Sequence, residues 1–171
     1  MPQPNGDLIS KYARLREIVT ELHSVAVAFS AGADSTLILK VALDVLGPDR
    51  IVAVTARSPS MAPAEFDDAC RIAASLGATH VVLYTTEFEN PQYLANPANR
   101  CYFCKDTLYT DLRPVIEQRG LRNMINGTNA DDLSDYRPGL IAADQHGVRS
   151  PLAEAGFTKA DVRQLSRELG L

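Results

Sequence analysis

A six-residue loop, "SAGADS" from Ser30 to Ser35, lies between an apolar run and an amphipathic pattern in "VAVAFSAGADSTLILKVALDVLG". Where a strand turns into a helix, backbone N–H groups and the positive end of the helix face any anion bound there. The loop contains no lysine, and it has neither the Walker A spacing nor the Rossmann glycine spacing. It is therefore either a phosphate site of another kind or an ordinary turn in which Asp34 caps the helix.

A second polar segment, "NGTNADDLSDYRPG" at residues 126–139, follows the apolar residues of "NMI". Taken alone, this pattern is typical of a solvated acidic loop. Its position after a predicted strand makes it a candidate for the same edge of the sheet as the first loop. The charged side chains that it brings within a few residues are Asp131, Asp132, Asp135 and Arg137.

The third segment, "NRCYFCKDTLY", carries Cys101 and Cys104 at CxxC spacing. On a helix these thiols share one face, so both can reach one metal ion or each other. The residues alone leave three alternatives open: a thioredoxin-like pair, half of a zinc site, or two small core residues. Cys70 shares an apolar face with Phe66 and Ala73 and is predicted to be a packed core thiol. Zinc would need two further ligands, and the histidines are scattered: His23, His80 and His146.

Length and composition predict one soluble globular domain. A chain of 171 residues buries roughly 70% of its unfolded surface, and its 46% apolar and 22% charged residues are ordinary for such a domain. The formal charge of −4 and the pI near 5.3 argue against a nucleic-acid or anionic-membrane surface. Three cysteines are too few for a disulfide framework, and no signal peptide or membrane span is evident, so we expect a cytoplasmic protein.

Strand and helix patterns alternate along the chain, which predicts an α/β fold with a doubly wound parallel sheet. A last helix is predicted between Thr158, as N-cap, and Gly170. Residues 101–118 have a helical pattern, but Pro114 lacks a backbone donor, so we expect a short helix followed by a second piece. The other predicted strands cover residues 25–29, 51–56, 80–85 and 123–127, and the other predicted helices cover residues 35–46 and 63–76.

The loop resembles the S-G-G-x-D-S signature of the PP-loop ATP pyrophosphatases, with Ala31 in place of a glycine. That family cuts ATP between the α- and β-phosphates and leaves AMP on a substrate. The resemblance implies an adenine nucleotide α-hydrolase-like fold in which loop N–H groups and hydroxyls hold the pyrophosphate, Mg²⁺ shares its charge, and Asp34 orients the metal or the loop. Because the loop also begins a helix, we expect a negative φ and no strain at Ala31. The residues assigned to the phosphates are Ser30, Ala31, Gly32, Asp34, Ser35 and Thr36.

The same resemblance assigns three further groups of residues. Residues 126–139 are similar to the second ATP-facing segment of PP-loop enzymes, which includes Gly127. "TARSPS", after the second strand, is where such proteins usually hold adenine, and this position implicates Ala56 and Arg57. The remaining candidates are Arg137, to stabilise charge on the adenylated intermediate, and Asp131 or Asp135, near the metal or the substrate.

Four segments in this order narrow the resemblance to the LarE family of ATP-dependent sulfur transferases: the loop, "NRCYFCK", "DYRPGL" and "FTKADVRQLSRELGL". This family matures a nickel-pincer nucleotide by converting a pyridinium dicarboxylate mononucleotide to its thiocarboxylate. The resemblance implies that a carboxylate attacks the α-phosphate of ATP and that a sulfur nucleophile then displaces AMP. Some members sacrifice a cysteine sulfur, whereas others use a [4Fe-4S] cluster. By resemblance, Cys101 and Cys104 are two of three cluster ligands in a full-length protein.

Relatives carry a further cysteine, in a C-x-x-S-R type segment, after the last helix, whereas this chain ends at Leu171. We therefore expect one PP-loop domain over residues 1–171, without the sulfur-donor and substrate region of the family. The expected partner is a small-molecule mononucleotide carboxylate, with no nucleic acid and no membrane, and the expected assembly is a homo-oligomer. The alternatives are another PP-loop synthetase or amidotransferase, a tRNA thiolation enzyme, and a non-catalytic module that binds ATP or AMP.

Overall fold

The computed structural model describes residues 6–59, 61–86, 89–95 and 97–171. Within them, four parallel strands form one sheet: β1 (Val25–Ala28), β2 (Ile51–Arg57), β3 (Thr79–Tyr84) and β4 (Asn123–Ile125). From edge to edge their order is β3-β2-β1-β4. The chain moves outward from β1 to β3 and then returns to the free side of β1. This reversal between β1 and β4 leaves a crevice beyond the carboxyl ends of the strands. The predicted doubly wound parallel sheet is confirmed.

Helices cover both faces of the sheet. Among the described residues, short 3-10 turns lie at Pro48–Arg50, Pro97–Asn99 and Ala130–Ser134. The helices of the described residues are α1 (Gly6–Leu22), α2 (Ala33–Leu46), α3 (Pro63–Ser75), α4 (Pro91–Ala95), α5 (Arg100–Arg119), α6 (Pro138–Gln145), α7 (Pro151–Glu154) and α8 (Lys159–Glu168).

Each face of the sheet has its own hydrophobic core. Val25 and Val27 of β1 face the core that includes α1, α2 and α8, whereas Ala26 and Ala28 face the core that includes α5 and α6. Burial of each large aliphatic side chain contributes about 1.5–3 kcal/mol. Because β1 contributes to both cores, the end of β1 is fixed from both sides. The loop that follows β1 therefore begins from a rigid point.

Helix α5 is continuous, so the predicted break at Pro114 is wrong. Pro114 lies on the exposed side of the helix, and the buried side packs on the sheet through Leu108, Tyr109 and Leu112. The burial of these three side chains outweighs the cost of one interior proline, which is about 3 kcal/mol. The helix ends at Gly120, whose φ of 62° is left-handed.

Two other details bear on the sequence-based expectations. The predicted N-cap of α8 is confirmed: the Thr158 hydroxyl accepts a hydrogen bond from Asp161 N, and the Asp161 side chain accepts one from Thr158 N. Cys70 is only half-buried, because the core-facing positions of α3 are Ala69 and Ala73, so it lies at the margin of the core. Within the described part of the chain, every helix is too short or too polar to cross a membrane.

Replacing Pro114 with alanine should raise the free energy of unfolding by about 1–2 kcal/mol. The variant restores a backbone N–H inside α5, and the roughly 3 kcal/mol that an interior proline costs exceeds the added freedom of the unfolded chain. Urea denaturation followed by circular dichroism measures the change. Pro63 occupies the first turn of α3, where no intrahelical bond is lost, so the control Pro63→Ala should bring no gain. An unchanged or lower stability of the Pro114 variant would contradict this account.

Candidate functional site

A cleft of about 730 Å³ lies at the carboxyl ends of β1 and β2, beside the reversal point of the sheet. Residues from the end of β1, the end of β2, helix α5 and the segment after β4 all line it. Parallel α/β sheets bind ligands at this place because the loops that leave the carboxyl ends converge there. The lining includes Ser30, Gly32, Asp34, Ser35, Ala56, Cys101, Lys105, Tyr109, Gly127, Asp132, Tyr136, Arg137 and Gly139.

The loop after β1 offers backbone donors at the start of α2. Gly32 is the N-cap, so Asp34 lies inside the first turn and does not cap the helix. Thr36 N bonds to Gly32 O at 2.9 Å, and the three preceding amides of α2 have no intrahelical acceptor. The hydroxyls of Ser30 and Ser35 lie 3.2 Å apart, and Ser35 Oγ also donates to Gly32 O. This arrangement of amides and hydroxyls can hold an anion without a lysine.

Ala31 has a φ of 62°, so the expectation of an unstrained, negative φ is wrong. The turn from β1 into α2 requires one left-handed residue before the N-cap Gly32, and Ala31 occupies that position. A Cβ in this region crowds the following carbonyl and costs on the order of 1–2 kcal/mol. The loop therefore stores strain at the position where the PP-loop signature has glycine.

Gly127 brings the segment after β4 against the start of α2. A Cβ on Gly127 would lie 2.7 Å from Ser35 N and 3.0 Å from the carbonyl carbon of Asp34. No side chain fits at that distance, so the two backbones can touch only through glycine. The contact joins the carboxyl ends of β1 and β4 across the reversal point and forms the floor of the cleft.

Asp34 is a carboxylate with a perturbed environment. Burial raises the pKa of Asp34, and the neighbouring Asp132 carboxylate raises it further, while the Asn129 amide opposes the shift. Asn129 is fully buried, and its side-chain oxygen accepts bonds from Asp131 N and Asp132 N. Its Nδ2 approaches Asp34, but no acceptor among the described residues meets hydrogen-bond geometry. The negative charge of the Asp34 carboxylate is thus only partly neutralised, so this side chain suits a cation-binding position.

Asp132 is the buried acid of the segment after β4. Its Oδ1 lies 3.0 Å from Arg137 Nη1 and 3.8 Å from Lys159 Nζ, and its Oδ2 accepts from Asn129 N. Asp135 lies 3.8 Å from Arg137 on the exposed side. Arg137 thus enters the cleft with its charge balanced by carboxylates. Sequence reasoning did not choose Asp132, although its spacing from Asn129 follows the capping-box pattern that buries the acid.

The other predicted residues divide between the cleft and its surroundings. Asp131 and Asp135 do not line it, because Asp131 Oδ2 accepts a bond from Lys159 N and Asp135 is exposed. Their predicted roles remain untested. Ala56 lines the cleft, whereas the Arg57 guanidinium lies over the ring of Phe66. Ser60 of "TARSPS" is outside the described residues. Thr36 is buried beside the loop, and its Oγ1 has no hydrogen-bond partner among the described residues.

Helix α5 brings Cys101 and Lys105 into the cleft, and Cys104 lies half-buried on the next turn. Lys105 was not predicted. Burial around its ammonium group lowers the pKa of Lys105, although the residue as a whole keeps solvent contact. Across the described ranges no three metal-ligating side chains cluster, and the chain's third cysteine, Cys70, lies on α3. These residues do not fit an iron-sulfur cluster by themselves, because such clusters are fixed by more than two thiolates.

Replacing Ala31 with glycine should raise the free energy of unfolding by about 0.5–1 kcal/mol, because the strain removed exceeds the added freedom of the unfolded chain. Urea denaturation measures it. The matched control is Ala33→Gly, in the first turn of α2, where the backbone is helical and glycine should cost up to about 1 kcal/mol. Equal losses in both variants would show that Ala31 is not strained.

Replacing Gly127 with alanine should lower the free energy of unfolding by about 1–3 kcal/mol, because the new methyl group forces the segment after β4 away from α2. ATP affinity, measured by isothermal titration calorimetry, should fall with it. Gly6→Ala is the control, since a Cβ there meets nothing within 4 Å, and its effect should stay within about 0.5 kcal/mol. A Gly127 variant with the parent's stability would contradict the close approach.

No model of a known protein family matches the chain. The chain is 50% identical over 164 residues to an uncharacterised protein of Synechocystis sp.. This match covers 96% of the chain and 61% of the Synechocystis protein. It is 42% identical over 165 residues to the pyridinium-3,5-bisthiocarboxylic acid mononucleotide synthase of Lactiplantibacillus plantarum. This second match covers 96% of the chain and 59% of the synthase. The chain thus spans less than two thirds of the length of both relatives.

Among solved structures, the NH₃-dependent NAD synthetase from Campylobacter jejuni superposes with a TM-score of 0.74 at 15% identity. The superposition covers 96% of this chain and 74% of the synthetase chain, and at this identity it shows the fold alone. The fold and the sequence matches agree with the expectation drawn from the loop. The resemblance is confirmed: over 96% of its length this chain is a homologue of the LarE-family synthase, and it has the PP-loop fold.

Proposed function

We propose that this chain uses ATP to adenylate a substrate carboxylate and so prepares it for sulfur transfer, as in LarE-like maturation of the nickel-pincer cofactor. The observation that carries the proposal is the lysine-free loop at the start of α2, which opens into the cleft at the reversal point of the sheet. The family relation supports the same chemistry, since the L. plantarum relative is named as a thiocarboxylate mononucleotide synthase.

The loop would act on the leaving group. Amides at the start of α2, with the Ser30 and Ser35 hydroxyls, would hold the β- and γ-phosphates, so that charge on departing pyrophosphate is met by fixed dipoles. The carboxylate of the acceptor attacks the α-phosphorus, the bond to the bridging oxygen breaks, and pyrophosphate leaves. An acyl-adenylate remains, from which a sulfur nucleophile displaces AMP. Arg137, at the edge of the cleft, would stabilise charge on this intermediate.

Asp34 is the residue that fits Mg²⁺ best. It lines the cleft beside the loop, its carboxylate is only partly neutralised, and carboxylate oxygen is a ligand that Mg²⁺ prefers. When bound, Mg²⁺ would share the charge of the phosphates. Ala56, at the end of β2, would lie against the adenine, and Gly127 keeps the start of α2 accessible to the nucleotide.

This chain contributes fewer residues to the proposed sulfur-transfer step than to adenylation. Cys101 and Cys104 would contribute to a [4Fe-4S] cluster only together with a ligand from another segment or subunit. The acceptor in this proposal is a small-molecule mononucleotide carboxylate, and the assembly is a homo-oligomer. The net charge of −4 weighs against a tRNA acceptor.

Incubation of the chain with ATP, Mg²⁺ and a pyridine carboxylate mononucleotide should yield pyrophosphate, with the AMP moiety joined to the acceptor as the acyl-adenylate until water or a sulfur nucleophile releases it as AMP. The reason is that the loop holds the two terminal phosphates as the leaving group. Phosphorus NMR of the reaction distinguishes these products from ADP and phosphate. ADP as the main product would place the cleavage at the wrong bond, and intact ATP would favour a non-catalytic module.

Asp34→Asn supplies the matched variant for this reaction. Pyrophosphate formation should fall at least tenfold, while the free energy of unfolding near pH 7 should rise, because a half-buried ionised carboxylate is removed. Because the pKa of Asp34 is raised, its ionised carboxylate destabilises the parent at pH values above the folded pKa. This loss of stability disappears as the pH falls below the ordinary aspartate value. The stabilities of the two proteins should therefore converge in acid. Asp44→Asn, at the Lys40 pair on α2, is the control and should keep its activity.

A further inference from the structure

The charges that line the cleft do not all have partners. Of the ionised side chains that the structure places there, Asp132 and Arg137 pair with each other at 3.0 Å. Asp34 lies beside the phosphate loop. Lys105 has no ion pair or hydrogen bond within the described ranges, yet its side chain is directed into the cleft. Its amino group is therefore available to a bound anion, and a carboxylate beside it would favour the charged ammonium form.

An aromatic ring in the same cleft is also without a partner. Tyr136 lines the cleft and is 80% exposed, whereas Tyr109, the other tyrosine of the lining, is 1% exposed. The ring of Tyr136 makes no ring contact or hydrogen bond with the described residues. The side chain of the next residue, Arg137, pairs with Asp132. An exposed aromatic face in a cleft is suited to stacking on a flat ligand.

Both groups lie on or beside helices that pack on the sheet face opposite α2. Lys105 belongs to α5, and Tyr136 directly precedes the segment that leads into α6. These two helices share the core on one face of the sheet, whereas α2 packs on the opposite face. Gly139 lies against the lysine stem: a Cβ there would be 3.2 Å from Lys105 Cγ. The glycine thus leaves room for the lysine beside the start of α6.

We infer that Lys105 and Tyr136 form the acceptor subsite, in which the ammonium pairs with a carboxylate and the phenol ring stacks on the flat aromatic ring that bears it. A pyridinium ring suits this position, because a cation is attracted to the face of an aromatic ring. The inference rests on the proposed function, since an acceptor held here shares the cleft with ATP on the loop. In this subsite Lys105 selects a carboxylate over its uncharged amide, and Tyr136 holds the ring that bears it.

The test measures binding without turnover. Nicotinic acid mononucleotide and nicotinamide mononucleotide differ only by carboxylate against carboxamide, and both are titrated into the chain by calorimetry. Saturating α,β-methylene-ATP and Mg²⁺ keep either probe away from the phosphate loop. The parent should bind the acid at least tenfold more tightly than the amide, which corresponds to about 1.4 kcal/mol. Lys105→Met should remove this preference and leave ATP affinity within about threefold of the parent.

Two further variants make the result specific. Lys40→Met removes the same charge from a lysine that pairs with Asp44 on α2, and it should keep the full preference. Tyr136→Leu should weaken both probes at least tenfold by a similar factor, because stacking does not distinguish acid from amide. Thermal unfolding confirms that each variant is folded.

Three results would overturn the subsite: a parent that shows no preference, a Lys105 variant that retains it, or a Lys105 variant whose main loss is in ATP affinity. The last result would assign the ammonium to the phosphates. Because no step of this test needs AMP to form, it can fail while the adenylation proposal stands. Conversely, a chain that prefers the acid over the amide but does not cleave ATP would support the subsite and contradict the adenylation proposal.

Discussion

The arrangement of the site depends on the contact between two backbones, Gly127 after β4 and the first turn of α2. A Cβ at Gly127 would come within 2.7 Å of Ser35 N, so only glycine permits the contact. The parallel pairing of β1 with β2 and β4 brings both segments to the same edge of the sheet. The phosphate loop, the acidic segment after β4 and the floor of the cleft are all positioned by this approach.

The electrostatics of the cleft follow from which charges are neutralised. The pyrophosphate site that we propose needs donors for the leaving group, and amides at the start of α2 offer them without a lysine. Asp132 and Arg137 neutralise each other, while Asp34 keeps a carboxylate whose burial costs stability. Asp34 and the left-handed Ala31 both work against folding at the same loop. Unfavourable terms of this kind collect at functional sites, where the surrounding structure compensates for them.

Much of the fold could be predicted because its signals are local. Gly and Pro mark the ends of α2 and α3, and each strand is a short apolar run, so the predicted elements lie within two residues of the observed ones. Pro114 was misjudged because the packing of α5 on the sheet depends on contacts distant in sequence. The φ of Ala31 was misjudged because helix propensity does not report how β1 must turn to enter α2.

The site was predictable in outline but not in its individual side chains. The PP-loop signature pointed to the loop after β1, and residues of this loop line the cleft. Of the clustered acids, only the structure distinguishes buried Asp132 from Asp131, which bonds to Lys159 N, and from exposed Asp135. Lys105 was not singled out, because a lysine in a helical pattern is ordinarily a solvated residue. Its place in the cleft follows from how α5 lies across the sheet, which the sequence of α5 alone does not specify.

The most direct test of the account is a crystal structure of the chain with α,β-methylene-ATP and Mg²⁺, in which the bond to be cleaved is blocked. The account predicts the β- and γ-phosphates on the amides between Ser30 and Thr36, with the α-phosphorus facing the cleft between the loop and α5. A γ-phosphate that points into the cleft, or a nucleotide bound away from this loop, would contradict it.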